Sequence, residues 1–334
     1  MKPFPIRVER AEPITKFVEW ALHNVCTYDC SFCGDDNKDG SIRWKSLDEY
    51  KMYVDKIMAA CAGEPVYVML TGGEPTLFPK LINLYQYIRK NKNAYLGLTS
   101  NGTRSIRWWK EFRDTRSLDR IILSYHSEQT ADYQKIIEIA SLFHDEPVEI
   151  YLCITHVPKS VDLAFEALEA FKKNTGALIN MNGMMVTNNE DHKYTPEQLK
   201  KYTGISWTPG ALNSTKKKPI LPISQRQQVK ITHNDGSITF STADIMIKHK
   251  EHVFTGWDCH IGNNVMRIMG DSIWRGMCRE GGPTHSFADP IINFTTGTIK
   301  CTQARCGCPS DLIQIKTRPD DLVPDKYIYF EKTK

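Results

Sequence analysis

Three cysteines fall within eight residues of the stretch NVCTYDCSFCGDD (24–36): Cys26, Cys30 and Cys33, spaced CxxxCxxC. With no export signal ahead of them, such thiols read as metal or cluster ligands rather than disulfide partners, because a reducing compartment keeps thiols free. A protein that only holds or passes electrons normally gives a four-iron cluster four cysteines. Three leave one iron open, and an open coordination position is a catalytic one, by the logic that leaves catalytic zinc one free site. Zinc is the competing occupant, but CxxxCxxC has no fourth ligand nearby, and zinc gives no reason for the glycine-rich TGGEP (71–75) that follows. A second group, Cys259, Cys278, Cys301, Cys306 and Cys308, lies near the end of the chain; only Cys61 and Cys153 stand alone, and these read as buried small apolar residues.

The elements around these residues repeat. KFVEWAL (16–22), PVYVML (65–70), AYLGLT (94–99), DRIILS (119–124), VEIYLCIT (148–155) and ALINMN (177–182) are β-rich runs. Between them lie helical patterns at 46–61, where Ser46 and Glu49 have capping-box spacing, and near 79–91, 104–113, 130–143 and 161–173. Six strands separated by helices predict parallel βαβ construction in an α/β fold, enough for a curved or partly closed barrel with its chemistry in loops at the strand C-termini. The Trp108-Trp109 pair begins one of the helices and reads as packing rather than as a stacking platform.

After Met185 the pattern changes. Residues 187–222 are polar and rich in turn formers, with one helical run after Thr195 and Pro196, and read as a connector or lid; STKKKP within it reads as a solvated loop. Three hairpins are then expected, around Asn234-Asp235-Gly236, Gly270-Asp271 and Thr296-Gly297, with the late cysteines bordering the second and third. The expected organisation is a barrel over 1–185, a connector over 186–228 and a small β-hairpin-rich module over 229–334. A module of that kind is stapled by metal rather than by a large core.

The chain has 334 residues and a formal charge of +4, too small and evenly spread a bias to argue for nucleic acid or an anionic membrane. It has no apolar run of signal-peptide or membrane-spanning length, so a soluble, cytoplasmic protein with no membrane partner is expected.

CxxxCxxC with Phe32 before its last cysteine, followed by TGGEP after the second strand, resembles the radical S-adenosylmethionine (radical SAM) enzymes over about residues 16–183. The resemblance implies a partial (β/α)6 TIM-like barrel in which Cys26, Cys30 and Cys33 hold a 4Fe-4S cluster. S-adenosylmethionine then chelates the open iron through its amino and carboxylate groups, and one electron cleaves it to methionine and a 5′-deoxyadenosyl radical. It further implies cosubstrate roles for Phe32, for Gly72 and Gly73, whose backbone would approach the methionine end, and for Glu74 at the amino group. Ser100 and Asn101 would meet the ribose, and Ser124 the carboxylate or ribose. From their places at the ends of the fourth and fifth strands and on the sixth, His126, His156, Asn180 and Asn182 are expected either to face the barrel mouth and touch substrate or to serve as structural polar residues.

The late group resembles the auxiliary-cluster modules of such enzymes, SPASM and its shortened relative, the twitch domain: a cysteine, a glycine hairpin, a second cysteine, then a close cysteine group. A full SPASM module has seven cysteines for two clusters. Five imply one auxiliary 4Fe-4S cluster, with one cysteine left over, and CxxxxCxC departs from the usual CxxC. A zinc knuckle is the alternative.

The expected enzyme abstracts a hydrogen from a peptide, a small molecule or a nucleoside, free or within nucleic acid, for oxidation, rearrangement or bond formation. A reductant such as flavodoxin or ferredoxin would supply single electrons. No N-terminal winged domain for clasping a peptide is evident. A DNA- or nucleotide-modifying enzyme and a non-catalytic zinc-binding module are the alternatives.

Overall fold

The computed structural model describes residues 3–11, 16–175, 177–183, 194–203, 228–306 and 308–322. The chain divides into two compact units, one made of residues 20–54 and 67–220, the other of residues 1–19, 55–66 and 221–334.

The first unit contains the βαβ run. Strand β2 (Lys16–Ala21), whose last two residues belong here, is followed by α1 (Leu47–Ala60), β3 (Val66–Thr71), α2 (Leu81–Ile88), β4 (Ala94–Ser100), α3 (Ile106–Asp114), β5 (Arg120–His126), α4 (Gln134–Leu142), β6 (Glu149–His156), α5 (Val161–Asn174) and β7 (Leu178–Gly183). The strands lie in chain order from β2 to β7, and the registers from β4 to β7 are parallel. This is the expected partial (β/α)6 arrangement, and right-handed βαβ crossovers explain why sequential strands become neighbours. Helix α1 starts where the capping box places it. Ser46 Oγ accepts from Glu49 N at 3.2 Å, and the Glu49 carboxylate accepts from Ser46 N at 2.9 Å. Its buried residues Tyr50, Tyr53, Val54 and Ile57 recur at helical spacing.

Strand β5 alternates: Ile121, Leu123 and Tyr125 are buried, while Ser124 and His126 are half-buried. Tyr125 meets the rings of Tyr133 and Phe171 edge-on, so that face packs under the helices and leaves Ser124 and His126 to the other face. Helix α6 (Pro196–Thr203) fulfils the expected run after Thr195, whose Oγ1 accepts from Gln198 N at 3.2 Å. The remainder of the expected connector, STKKKP included, lies outside the described residues.

In the second unit a sheet runs in the order β14 (Ile299–Lys300), β10 (Asp258–Cys259), β15 (Lys316–Thr317), β1 (Pro5–Arg10), β8 (Gln228–His233), β9 (Ile238–Thr242). Two of the three expected hairpins form. β8 and β9 pair across Asn234-Asp235-Gly236, and β11 (Val265–Met269) pairs with β12 (Ser272–Trp274), followed by β13 (Pro283–Ser286). The third is corrected: β14 pairs with β10, not with the residues before Thr296-Gly297. Those residues are drawn elsewhere, since Thr295 N donates to Gly262 O at 3.1 Å. Residues 5–10, which precede the first expected strand, supply a central strand of this sheet. The core is built from Val8, Val229, Ile231, Met246, Phe254, Trp257, Leu312 and Ile313, with α7 (Ala243–Lys248) and α8 (Pro309–Leu312) contributing to it. Among the described residues no helix is long and apolar enough to cross a membrane.

Trp109 is fully buried against Phe112 and Phe143, whereas Trp108 is half-buried beside Arg104. Trp109→Ala is therefore expected to cost about 3–5 kcal/mol by loss of packing and cavity formation. Trp108→Ala is expected to cost about 1 kcal/mol. The shift in denaturant midpoint measures both.

Candidate functional site

The loop after β2 is shaped by its own polar groups. Asn24, 4% exposed, closes its base: Nδ2 donates to Asp36 O at 2.9 Å, Asp39 Oδ1 at 2.7 Å and Ser41 Oγ at 3.0 Å, and Oδ1 accepts from Ile42 N at 2.8 Å. Cys33 N donates to Cys30 O at 3.1 Å, closing a tight turn, and Lys38 Nζ donates to the same carbonyl at 3.0 Å and to Asp29. Two residues just beyond β5 hold the loop from across the unit. The Glu128 carboxylate accepts from Ser31 N and Ser31 Oγ, both at 2.7 Å. The Gln129 amide pairs in both directions with the Asp29 backbone, at 3.2 and 3.1 Å, as a neighbouring strand would.

Gly72 and Gly73 were expected to let main chain approach the cosubstrate. The close approach present is to the cysteine loop itself. Gly73 N and Glu74 N donate to His23 O and Val25 O at 2.9 and 2.8 Å. A Cβ at Gly72, whose φ is +130°, would lie 2.2 Å from His23 O, and one at Gly73 would lie 2.3 Å from Val25 O.

Glu74 is completely buried and joins this loop to the end of β4. Its Oε1 accepts from Thr76 N at 3.1 Å, Thr76 Oγ1 at 2.5 Å and Ser100 Oγ at 2.8 Å, and its Oε2 accepts from Asn101 N at 2.6 Å. Burial pushes its carboxyl above the usual range, and these donors oppose the rise. Oε2 keeps one lone pair for a further donor. Asn101 Nδ2 donates to Thr27 Oγ1 at 3.2 Å and points at Cys26 Sγ, 3.9 Å away.

Cys30 is buried, and Cys26 and Cys33 are half-buried. Burial pushes all three thiols up, Cys30 to about 12, and the Glu128 carboxylate and the neighbouring thiols add to that rise. Cys30 is influenced by Cys26 and Cys33, and Cys33 by Cys26, so the loop brings them near one another. Phe32 stacks on His126 at 5.6 Å between ring centroids, and Tyr28 meets the same imidazole edge-on at 5.9 Å. Burial pushes His126 down to about 4, so its ring is neutral at ordinary pH, and its Nδ1 has no partner among the described residues. A cavity of ≈ 140 Å³ opens beside these rings, lined by residues including Tyr28, Asn101, Ser124, His126, Asp132 and Lys135. The parallel register aligns Ser124 with Cys153 and Asn180, and His126 with Thr155 and Asn182; His156 pairs one position on, with Gly183. The side chains of His156, Asn180 and Asn182 lie outside the described residues.

The second unit gathers the late cysteines. Cys259 lies opposite Lys316 on β15 and Ile299 on β14. Cys301 N donates to Trp257 O and Cys306 N to His252 O, both at 2.8 Å, while Cys308 O accepts from Asp311 N and Leu312 N at the start of α8. Cys259 is influenced by Cys301, Cys278 by Cys259, Cys301 by Cys278, and Cys306 by Cys259 and Cys308. Cys61 and Cys153 stand apart as expected, their thiols pushed up to about 12 by burial.

Among the described residues no three His, Cys, Asp or Glu side chains are arranged to hold a metal ion. One zinc needs its sulfurs about 2.3 Å from a common point, whereas a four-iron cluster takes each cysteine on a different iron. The donor set suits the latter. Cys26, Cys30 and Cys33 lie on one loop, and Cys26 Sγ accepts long contacts from Tyr28 N at 3.4 Å and Asn101 Nδ2 at 3.9 Å.

A family model of the radical SAM superfamily matches residues 20–199, and the chain belongs to that superfamily. Among solved structures, SuiB of Streptococcus suis bound to S-adenosylmethionine is 16% identical with a TM-score of 0.52, the match covering 83% of this chain and 64% of that one. AnSMEcpe with bound AdoMet is 18% identical with a TM-score of 0.43, covering 56% and 57%. The coproporphyrinogen III oxidase HemN of Escherichia coli, described as a radical SAM enzyme, is 12% identical with a TM-score of 0.44, covering 79% and 67%. The likeness to SuiB shows the fold, and the match spans less than two thirds of SuiB and of anSMEcpe. No curated protein matches the sequence.

Asn24, Lys38, Glu128 and Gln129, which hold the cysteine loop, were not expected from the sequence. Only Asn24 carried a signal, as a polar residue between a strand end and the first cysteine.

Gly73→Ala should force apart the two backbones that meet at Val25 O. The expected outcome is a loss of about 1–3 kcal/mol together with reduced iron loading, read by thermal denaturation and iron analysis. Glu128→Ala should cost about 1–3 kcal/mol and lower iron retention, because it leaves Ser31 N and Lys159 without their buried carboxylate and frees the loop.

Proposed function

We propose that this chain is a radical SAM enzyme whose initiating site is the Cys26, Cys30 and Cys33 loop. The observation that supports it best is the placing of three thiols on one loop whose base and turn are held by other side chains. When bound, a 4Fe-4S cluster with S-adenosylmethionine on its open iron supplies one-electron cleavage to methionine and a 5′-deoxyadenosyl radical, which takes a hydrogen atom from substrate.

The chain's own residues then have distinct tasks. Glu74 Oε2 offers its remaining lone pair to the cosubstrate ammonium. Ser124 and Asn101 line the cavity where ribose or carboxylate oxygens need donors. Ser100, bonded to Glu74, fixes that carboxylate at the end of β4, where the ribose would lie. The Phe32–His126 stack and Tyr28 form an apolar wall beside the cavity, and a neutral His126 brings no charge to repel the sulfonium. Exclusion of water there protects a reactive radical.

Cys259, Cys278, Cys301, Cys306 and Cys308 are the ligand pool of an auxiliary 4Fe-4S cluster in a twitch- or SPASM-like module, which takes up an electron from the substrate radical or helps to bind substrate. The reading gives a cytoplasmic enzyme served by a one-electron reductant such as flavodoxin or ferredoxin. Its substrate class is a peptide, a small molecule or a nucleoside.

Anaerobic reconstitution with iron and sulfide should give about eight irons per chain, and dithionite with S-adenosylmethionine should yield 5′-deoxyadenosine. Cys30→Ala should abolish that product and leave about four irons. Wild-type protein that binds zinc and no iron, and makes no 5′-deoxyadenosine, refutes the proposal.

A further inference from the structure

Lys316 is 1% exposed, a costly place for an ammonium without partners. Its Nζ donates to Leu312 O at 3.0 Å, to Gln314 O at 3.3 Å and to Asp311 O, so it satisfies the carbonyls at the end of α8. These partners are neutral. No ion pair within 4 Å joins Lys316 to a carboxylate among the described residues, but the buried Asp311 carboxylate feels its charge and in turn pushes the Cys259 and Cys306 thiols up.

Sulfur lies beside it as well. Lys316 and Cys259 are directly opposed on the antiparallel strands β15 and β10, a position that brings two Cβ atoms to about 4.5–5.5 Å on one face. Lys316 Nζ is 5.2 Å from the centroid of Phe254, and Cys301 and Cys306 pack against the core that contains this ring. Burial pushes the Cys259 and Cys306 thiols up, and the Lys316 ammonium is the leading influence against that rise on both. On Cys301 it acts in the same sense, after a hydrogen bond from the Gln303 backbone. One residue thus caps the short helix that starts after Cys308 and sets a fixed charge beside three of the five late thiols.

We propose that Lys316 is the charge-compensating, positioning residue of the late-cysteine site, holding a buried positive charge against the thiolates of Cys259, Cys301 and Cys306 and raising the reduction potential of the iron-sulfur cluster they ligate. This rests on the auxiliary-cluster reading above. Each bound thiolate and each added electron brings negative charge into a low-dielectric interior, where a nearby ammonium stabilises it more strongly than in water. Removing that charge without removing the donor makes the cluster harder to reduce.

The test uses full-length protein in which Cys26, Cys30 and Cys33 are all alanine, so that any remaining cluster belongs to the late site, reconstituted with iron and sulfide and titrated by redox-poised electron paramagnetic resonance. Lys316→Gln, which keeps an N–H donor for the helix carbonyls, and Lys316→Met are both expected to shift the reduced-to-oxidised ratio at fixed potential about tenfold toward oxidised, equivalent to about 59 mV for a one-electron couple. Lys316→Arg should stay within about threefold of the parent. A Gln or Met variant that holds its cluster at the parental ratio overturns the role of Lys316 while leaving the auxiliary cluster standing. A parent that binds no iron overturns both. If Gln and Met fold, by far-UV spectrum and a cooperative melt, but lose iron that Arg retains, the charge is what holds the cluster; equal iron loss in Arg overturns the proposal.

Discussion

Gly73 N and Glu74 N reach the carbonyls of His23 and Val25 at 2.9 and 2.8 Å, with no room for a side chain on either glycine. The loop after β3 is thereby joined, backbone to backbone, to the segment that leads into Cys26. The same turn continues into Glu74, whose buried carboxylate takes up Ser100 and the amide of Asn101 at the end of β4. Three strand ends are connected through one carboxylate and two bare Cα positions. A buried carboxylate with its donors removed would cost several kcal/mol in desolvation, so this junction is satisfied throughout or not formed. Asn101 extends the chain of contacts to Cys26.

The loop's polar groups are arranged so that the sulfurs are not needed to hold it. Asn24 closes the base, Lys38 anchors the Cys30 carbonyl, and Glu128 and Gln129 secure residues 29–31, while the sulfurs keep only long, weak contacts. A ligand loop already ordered by other bonds loses little entropy when its metal group arrives. The two thiol groups also differ in their charged surroundings. After burial, the leading influence on Cys30 is the carboxylate of Glu128, while on Cys259 and Cys306 it is the ammonium of Lys316. The leading charge at one site disfavours an added electron and at the other favours it, with Lys38 opposing the first and Asp311 the second.

Much of the first unit was legible because parallel βαβ units combine a period-2 run, a turn and a period-3.6 run, and because the burial of β3 on both faces leaves the unbroken apolar run PVYVML. The cysteine spacing was legible for a similar local reason. Glu128 and Gln129 were not, since they meet the loop 97 and 100 residues away and nothing in YHSEQT marks a partner at that distance. The role of Gly72 and Gly73 was half legible: close backbone approach was expected, but the approaching chain is His23–Val25. The segment INFTTGTIKC has β-branched residues on both sides of a glycine turn and still makes no hairpin, because Thr295 bonds to Gly262 before the turn and Ile299–Lys300 finds Asp258–Cys259 after it.

PIRVER was the least legible element: it has a proline at its start, three charged residues and only Val8 fully buried. Its partners, β8 and β15, come from far along the chain, so no local pattern reports the pairing. Yet it is central. Val8 lies opposite Lys316, and Lys316 lies opposite Cys259, one row across β1, β15 and β10. Strand β15 is two residues long and cannot hold a register on its own. The position of Lys316 is therefore set from both sides, by Cys259 on β10 and by Val8 on β1. The late-cysteine site is built by the N-terminal strand as much as by the segment that carries its sulfurs.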